Sequence, residues 1–252
     1  MQTRKRLGAG RRGARSQSAF VFRTRGGKRA GAGRKPKGRR AGAKHVARPQ
    51  HRARHPVHVT TRVVSSVGCL RADDLYLALR EATVVTARRD NFRIVHMSIQ
   101  RDHLHLIVEA DDEKALSNGV RGFSISAAKQ VNRAISRRGV RRTGRVIADC
   151  FHAHPLTSPR AVRNVVAYVL NNWRHHGEDR DPGRVADLDR FASGYTFPGW
   201  RELADSPLLY EQPPDYRPLL VWQPRVWLLE HGLQRYPAIS FHEVPGSGIH
   251  VP

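Results

Sequence analysis

The chain has 252 residues, 45 Lys and Arg against 21 Asp and Glu, a formal net charge of +24 and an apolar share of 39%. That length suits one ordinary domain with extensions, and the low apolar share means that part of the chain is not expected to pack. The charge selects polyanions such as DNA, RNA or anionic lipid, and excludes a small cation as the main partner. Two cysteines, Cys69 and Cys150, are too few for a disulfide framework or a four-cysteine zinc site. No apolar run approaches the ~18 residues of a membrane span, and the N-terminus lacks the apolar stretch of a signal peptide.

Residues 1–56 hold 19 Lys or Arg and no acid; the first acid is Asp73. Such a segment cannot bury enough apolar surface to offset its chain entropy, so it is expected to be a disordered basic arm that binds phosphates by counterion release. The remaining residues carry 26 basic and 21 acidic side chains, a mildly basic body. Val57–Val64 is β-branched and alternating and predicts a strand. Asp73 or Asp74 caps a predicted helix through Arg89, with Leu75, Leu79 and Ala82 on one stripe. Phe92–Ile99 and His103–Glu109 predict a hairpin around Gln100-Arg-Asp102.

A long helix follows, roughly residues 113–138, with Phe123, Ala127, Val131 and Ile135 at four-residue spacing. Residues 139–144 are a basic loop, and Val146–Pro155 reads as a fourth strand. Ser158-Pro159 is a strong helix start, and that helix runs to about His175 before Gly177. The order β-α-β-β-α-β predicts an α+β, ferredoxin-like split βαβ sandwich. Its antiparallel sheet carries helices on one face, and a further, tyrosine-bearing helix follows. Residues 57–177 form this domain, and 178–252, with Trp200, Trp222 and Trp227, form a partly ordered C-terminal extension.

Three features carry chemistry. His103 and His105 lie two apart on a strand and so share a face, where both imidazoles can meet one cation. With 14 histidines in the chain, such pairs also arise incidentally, as with His152/His154 and His51/His55/His58. Tyr168 lies on the last helix. It is either a core-flanking tyrosine or a nucleophile, and a phenol of ordinary pKa ~10 needs a metal on its phosphate target to react at neutral pH. Asn172, one turn on, offers an amide oxygen as a hard third ligand suited to Mg²⁺ or Mn²⁺, or is a plain helical asparagine. Glu109 shares the histidine face and either supports the ligands from behind or is exposed at the strand end. Arg137, Arg138, Arg141, Arg142 and Arg145 form a dense basic loop expected to contact DNA backbone, and Lys129 and Arg133 are further phosphate candidates.

Gln100-Arg-Asp-His-Leu-His-Leu-Ile-Val108 resembles the His-hydrophobic-His strand of the single-tyrosine HUH transposases, and Tyr168-Val-Leu-Asn-Asn172 resembles their catalytic helix. Gly144–His154, followed by Ser158, resembles the linking strand of the REP-associated tyrosine transposases, an IS200-like group. Two positions depart: Trp173 stands where that group usually has Pro, and Gln100-Arg-Asp102 where it has Met-Pro-Asn or a near variant.

The resemblance covers roughly residues 57–176. It implies cleavage and rejoining of single-stranded DNA at hairpins formed by palindromic repeats. Tyr168 would form a 5′-phosphotyrosine, and His103, His105 and Asn172 would hold Mg²⁺ or Mn²⁺. It further implies a cytoplasmic, nucleoid-associated bacterial protein, monomeric or homodimeric, without a membrane partner. Three other readings remain. One is a domesticated, catalytically silent repeat-DNA or RNA binding protein, although strand 103–109 lacks the aromatics of an RNA-recognition sheet. The others are a metal-dependent nuclease using water and a replication-initiation or relaxase enzyme of the wider HUH group.

Overall fold

The computed structural model describes residues 50–139, 141–178, 188–204 and 215–245, all within one compact unit, Ala47–Pro252. The predicted basic arm lies outside the described residues up to residue 49. Packing starts ahead of the first strand: His51 is buried with its Nε2 2.7 Å from the Ala110 carbonyl, and Leu156 N–H donates to the Pro56 carbonyl.

The strands are β1 (Val57–Arg62), β2 (Phe92–Ile99), β3 (His103–Ala110) and β4 (His152–Pro155). The helices are α1 (Asp73–Thr86), α2 (Glu113–Ser136) and α3 (Pro159–His175). The sheet order is β2-β3-β1-β4 and every pairing is antiparallel, which is the ferredoxin-like split βαβ arrangement. Period-two alternation sorts the β3 side chains. Leu104, Leu106 and Val108 join the apolar layer beneath α1 and α2, while His103, His105, Ile107 and Glu109 face α3. Gly119 lets α2 settle onto this layer, because a Cβ there would land inside the buried Phe92 ring.

Several boundaries differ from the sequence reading, beginning with β1, which ends at Arg62 rather than Val64. The α1 N-cap is Ala72, and Asp73 and Asp74 sit inside the first turn, where they complement the helix dipole. The helix stops at Thr86, where the hydroxyls of Thr83 and Thr86 bond back to carbonyls three residues earlier. Helix α2 ends at Ser136, and Gly139 turns the chain away at φ +111°. The fourth strand is shorter than predicted: only a single Val63–Ile147 bridge forms before Asp149 bonds the Cys150 N–H in a turn. Helix α3 has the predicted bounds, with Ser158 accepting from the Ala161 N–H.

The described C-terminal residues pack onto this frame. Phe191 and Trp222 cover the free edge of β2 through bonds to Ile99 N–H and the Ile94 carbonyl. Arg71 and Asp189 form a buried bidentate ion pair. A short helix, α4 (Trp227–Glu230), packs against α3. Along α3, Arg163 pairs with Glu243, Asn171 donates to the Ser240 carbonyl and Arg174 to the Phe241 carbonyl. Among the described residues no helix is long and apolar enough to cross a membrane.

Candidate active site

β3 presents His103 and His105 on the α3 side of the sheet, with their Nε2 atoms 3.0 Å apart. Two nitrogens held at right angles about 2.1 Å from one cation stand about 3.0 Å from each other, so this spacing suits shared coordination. His103 Nδ1 donates to the Asp102 carboxylate at 2.7 Å. Because a carboxylate only accepts, the hydrogen is fixed on Nδ1 and the Nε2 lone pair is free. On the neighbouring strand, His58 Nε2 and Thr60 Oγ1 lie 3.1 and 3.3 Å from His105 Nδ1.

Burial, and next the charge that His58, His103 and His176 would carry, pushes His105 down to about 3. Burial, and next His154, pushes His58 down to about 4. Both imidazoles are therefore neutral at physiological pH, the form that coordinates metal.

α3 brings a row of side chains over this pair at four-residue spacing. Half-buried Tyr168 packs edge-on against His105, 5.2 Å between ring centroids, and lies 6.1 Å from His58. At the other end of the row, His176 stands 6.0 Å from His103. Asn172, midway between Tyr168 and His176 in the sequence, is fully buried, with neither its Oδ1 nor its Nδ2 hydrogen-bonded. A buried amide without partners costs about 1–3 kcal/mol per group. An unpartnered buried acceptor on the helix that covers two imidazole nitrogens is a donor type that fits a hard divalent cation. Among the described residues no group of three or more His, Cys, Asp or Glu has a metal-holding arrangement, so the set on offer is two imidazoles and an amide. That set leaves coordination positions for phosphate oxygens and water.

The other predicted site residues are more scattered. Arg141, Arg142 and Arg145 gather with Val64, Ser66 and Thr143 around an open cleft of about 560 Å³. It lies at the end of β1 whose last residue, Arg62, pairs with His103. Arg142 is committed to Asn132 on α2, to Ser66 after β1 and to the Arg145 carbonyl of its own loop. Arg138 pairs with Asp74. Arg133 and Arg137 line a second cleft of about 360 Å³ between α1 and α2, and Lys129 is exposed on α2. The α2 layer covers the opposite face of the sheet, so Lys129 and Arg133 do not join the histidine–tyrosine cluster.

Glu109 is neither exposed nor beside the histidines. It is 2% exposed, paired with Arg93 at 3.0 Å, and accepts from the backbone N–H groups of Arg225 and Val226. Sequence reasoning missed Asp102 as a partner of His103, and missed His58 and His176. His58 alternates correctly for the α3 face, but only the β1–β3 register places it beside His105.

Residues 52–172 match the family model described as "Transposase IS200 like". No curated protein matches the chain. Among solved structures, the chain is similar to a REP-associated tyrosine transposase bound to a REP hairpin. Identity is 17%, over 73% of this chain and 93% of that one, with a TM-score of 0.46. It is also similar to a candidate transposase from Deinococcus radiodurans R1, at 13% identity over 52% and 95% of the two chains, TM-score 0.33. Over residues 52–172, just under half of its length, this chain is similar to the IS200-like transposase family.

Proposed function

We propose that this chain is a REP-associated type of transposase that cleaves and rejoins single-stranded DNA at palindromic hairpins through Tyr168. The observation that carries the reading is the seating of Tyr168 edge-on against His105, with the two Nε2 atoms converging beside it. The Tyr168 phenol oxygen attacks the scissile phosphorus and forms a 5′-phosphotyrosine. The bond to the 3′ oxygen breaks, and that oxygen takes up a proton as the phenol loses one. Rejoining is the reverse attack by another 3′-OH, and one phosphate diester replaces another, so no external energy source is needed. Mg²⁺ or Mn²⁺ on His103, His105 and Asn172 would supply the positive charge that this exchange needs.

The chain's own groups prepare the site. Asp102 holds the His103 tautomer, burial keeps His105 neutral, and α3 sets Tyr168 against His105, with Asn172 one turn on to complete the ligand set in this reading. Arg141 and Arg145 would lead the DNA backbone toward the His103 end of the sheet. Arg137, Arg138, Lys129 and Arg133 would contact phosphates farther from the cut, and Arg142 shapes the basic loop.

The test is a denaturing gel of the protein with labelled hairpin oligonucleotides and Mg²⁺ or Mn²⁺. A metal-dependent covalent adduct, absent in Tyr168→Phe and His103→Ala, is expected. Cleavage that persists in Tyr168→Phe would overturn the reading in favour of a water-using nuclease. Binding without cutting, across hairpins from the host's own repeats, would overturn it in favour of a silent repeat-binding protein.

A further inference from the structure

We propose that His58 is a positioning residue: its Nε2 accepts the Nδ1 hydrogen of His105 and so keeps the His105 Nε2 lone pair aimed at the cation. The inference rests on the reading of His103 and His105 as metal ligands. It starts from a hydrogen count. A neutral imidazole has one N–H, and coordination through Nε2 requires that hydrogen on Nδ1. A buried N–H needs an acceptor. At His103 that acceptor is the Asp102 carboxylate. At His105 the groups within reach of Nδ1 are His58 Nε2 at 3.1 Å and Thr60 Oγ1 at 3.3 Å.

His58 is the better placed of the two. Its ring stacks on His105 with centroids 5.2 Å apart and planes 27° apart, so it restrains the ring as well as the hydrogen. The β1–β3 ladder, in which Thr60 is the partner of His105, fixes both rings to one rigid sheet. His58 also stands edge-on to Tyr168 and forms the wall behind the nucleophile.

The chemistry explains why the two histidines have different partners. His103 lies at the solvent-facing end of its strand, where an exposed carboxylate is cheap to keep. His105 is buried, and a carboxylate there would carry a large desolvation cost and would repel the incoming phosphodiester. A neutral imidazole accepts the same hydrogen without adding negative charge beside the scissile phosphate.

The experiment measures Mn²⁺ affinity of the DNA-free full chain by electron paramagnetic resonance for wild type, His58→Leu, His58→Gln and His103→Ala. A Gln amide oxygen can take the place of the His58 Nε2, whereas Leu keeps bulk and loses the acceptor. Loss of an outer partner of this kind lowers metal affinity about 10- to 100-fold. His58→Leu is expected to show that loss, and His58→Gln to stay within about threefold of wild type.

Nitrogen-15 NMR of the Mg²⁺-saturated protein is expected to place the His105 proton on Nδ1. If His58→Leu and His58→Gln bind Mn²⁺ like wild type while His103→Ala does not, the positioning role is overturned and the metal site stands. If both His58 variants lose affinity equally, the hydrogen-bond role is overturned. If His103→Ala binds like wild type, the metal-site reading itself fails, and the proposal with it. Should His58→Leu fail to fold, the NMR result decides, and a His105 without a proton on Nδ1 overturns the proposal.

Discussion

The Asp102 carboxylate accepts the Nδ1 hydrogen of His103 at 2.7 Å, from the turn immediately before β3. Asp102 thereby gives the half-buried His103 ring a charged acceptor at the mouth of the strand. His103 in return holds the Asp102 carboxyl below its ordinary pKa, so the carboxylate is present throughout the physiological range. Replacing Asp102 by Ala is expected to weaken divalent metal binding about tenfold or more. In a Mg²⁺ titration of adduct formation, the midpoint should move to higher metal while the plateau is largely retained. An unmoved midpoint would remove Asp102 from the site.

Glu109 joins the sheet to the C-terminal extension. Breaking a buried ion pair typically costs about 3–5 kcal/mol, because the remaining charge loses its partner. Glu109→Ala strands Arg93 and also leaves the Arg225 and Val226 N–H groups without their acceptor. A large drop in the urea midpoint is expected, together with early proteolysis between residues 217 and 227. Wild-type protease resistance in this variant would show that other contacts hold the segment.

The arginines of the basic loop divide by what they already bond. Arg142→Ala removes the links to Asn132, Ser66 and the Arg145 carbonyl, so it should lower Tm. Arg141 is exposed at the rim of the cleft. Arg141→Ala should leave Tm unchanged, weaken DNA binding across sequences, and reduce the slope of log affinity against log salt by about 1. The reverse pattern would exchange the two roles.

His96 is buried against Phe197, and burial alone pushes it down to about 4. The unfolded chain then takes up a proton at this position as pH falls below about 6.5, whereas the folded chain resists until about 4. Stability is therefore full above about 6.5 and falls with pH across that window, by about 3 kcal/mol from this residue. Urea unfolding between pH 4 and 7 should show the decline, and His96→Leu should flatten it. Equal slopes in the two proteins would place the pH dependence on other histidines that burial pushes down, such as His58 and His105.

Much of this protein is determined by local pattern. Period-two alternation put His103 and His105 on one face before any partner strand was known, and four-residue spacing put Asn172 one turn from Tyr168 on the same side of α3. Ser158-Pro159 set the start of that helix by capping chemistry alone. The β-α-β-β-α-β order was enough to predict the split βαβ sheet that the structure contains.

Long-range register decided the rest. His58 and Thr60 reach His105 only because β1 inserts between β3 and β4, a pairing that no local spacing encodes. Glu109 is a buried anchor because residues 215–245 return across the sheet, while its own strand position fits an exposed residue equally well. Lys129 and Arg133 are separated from the tyrosine because the sheet stands between α2 and α3. A side chain's own face follows from backbone geometry a few residues long; its partner follows from which distant segment packs there, and only burial in the folded chain selects that.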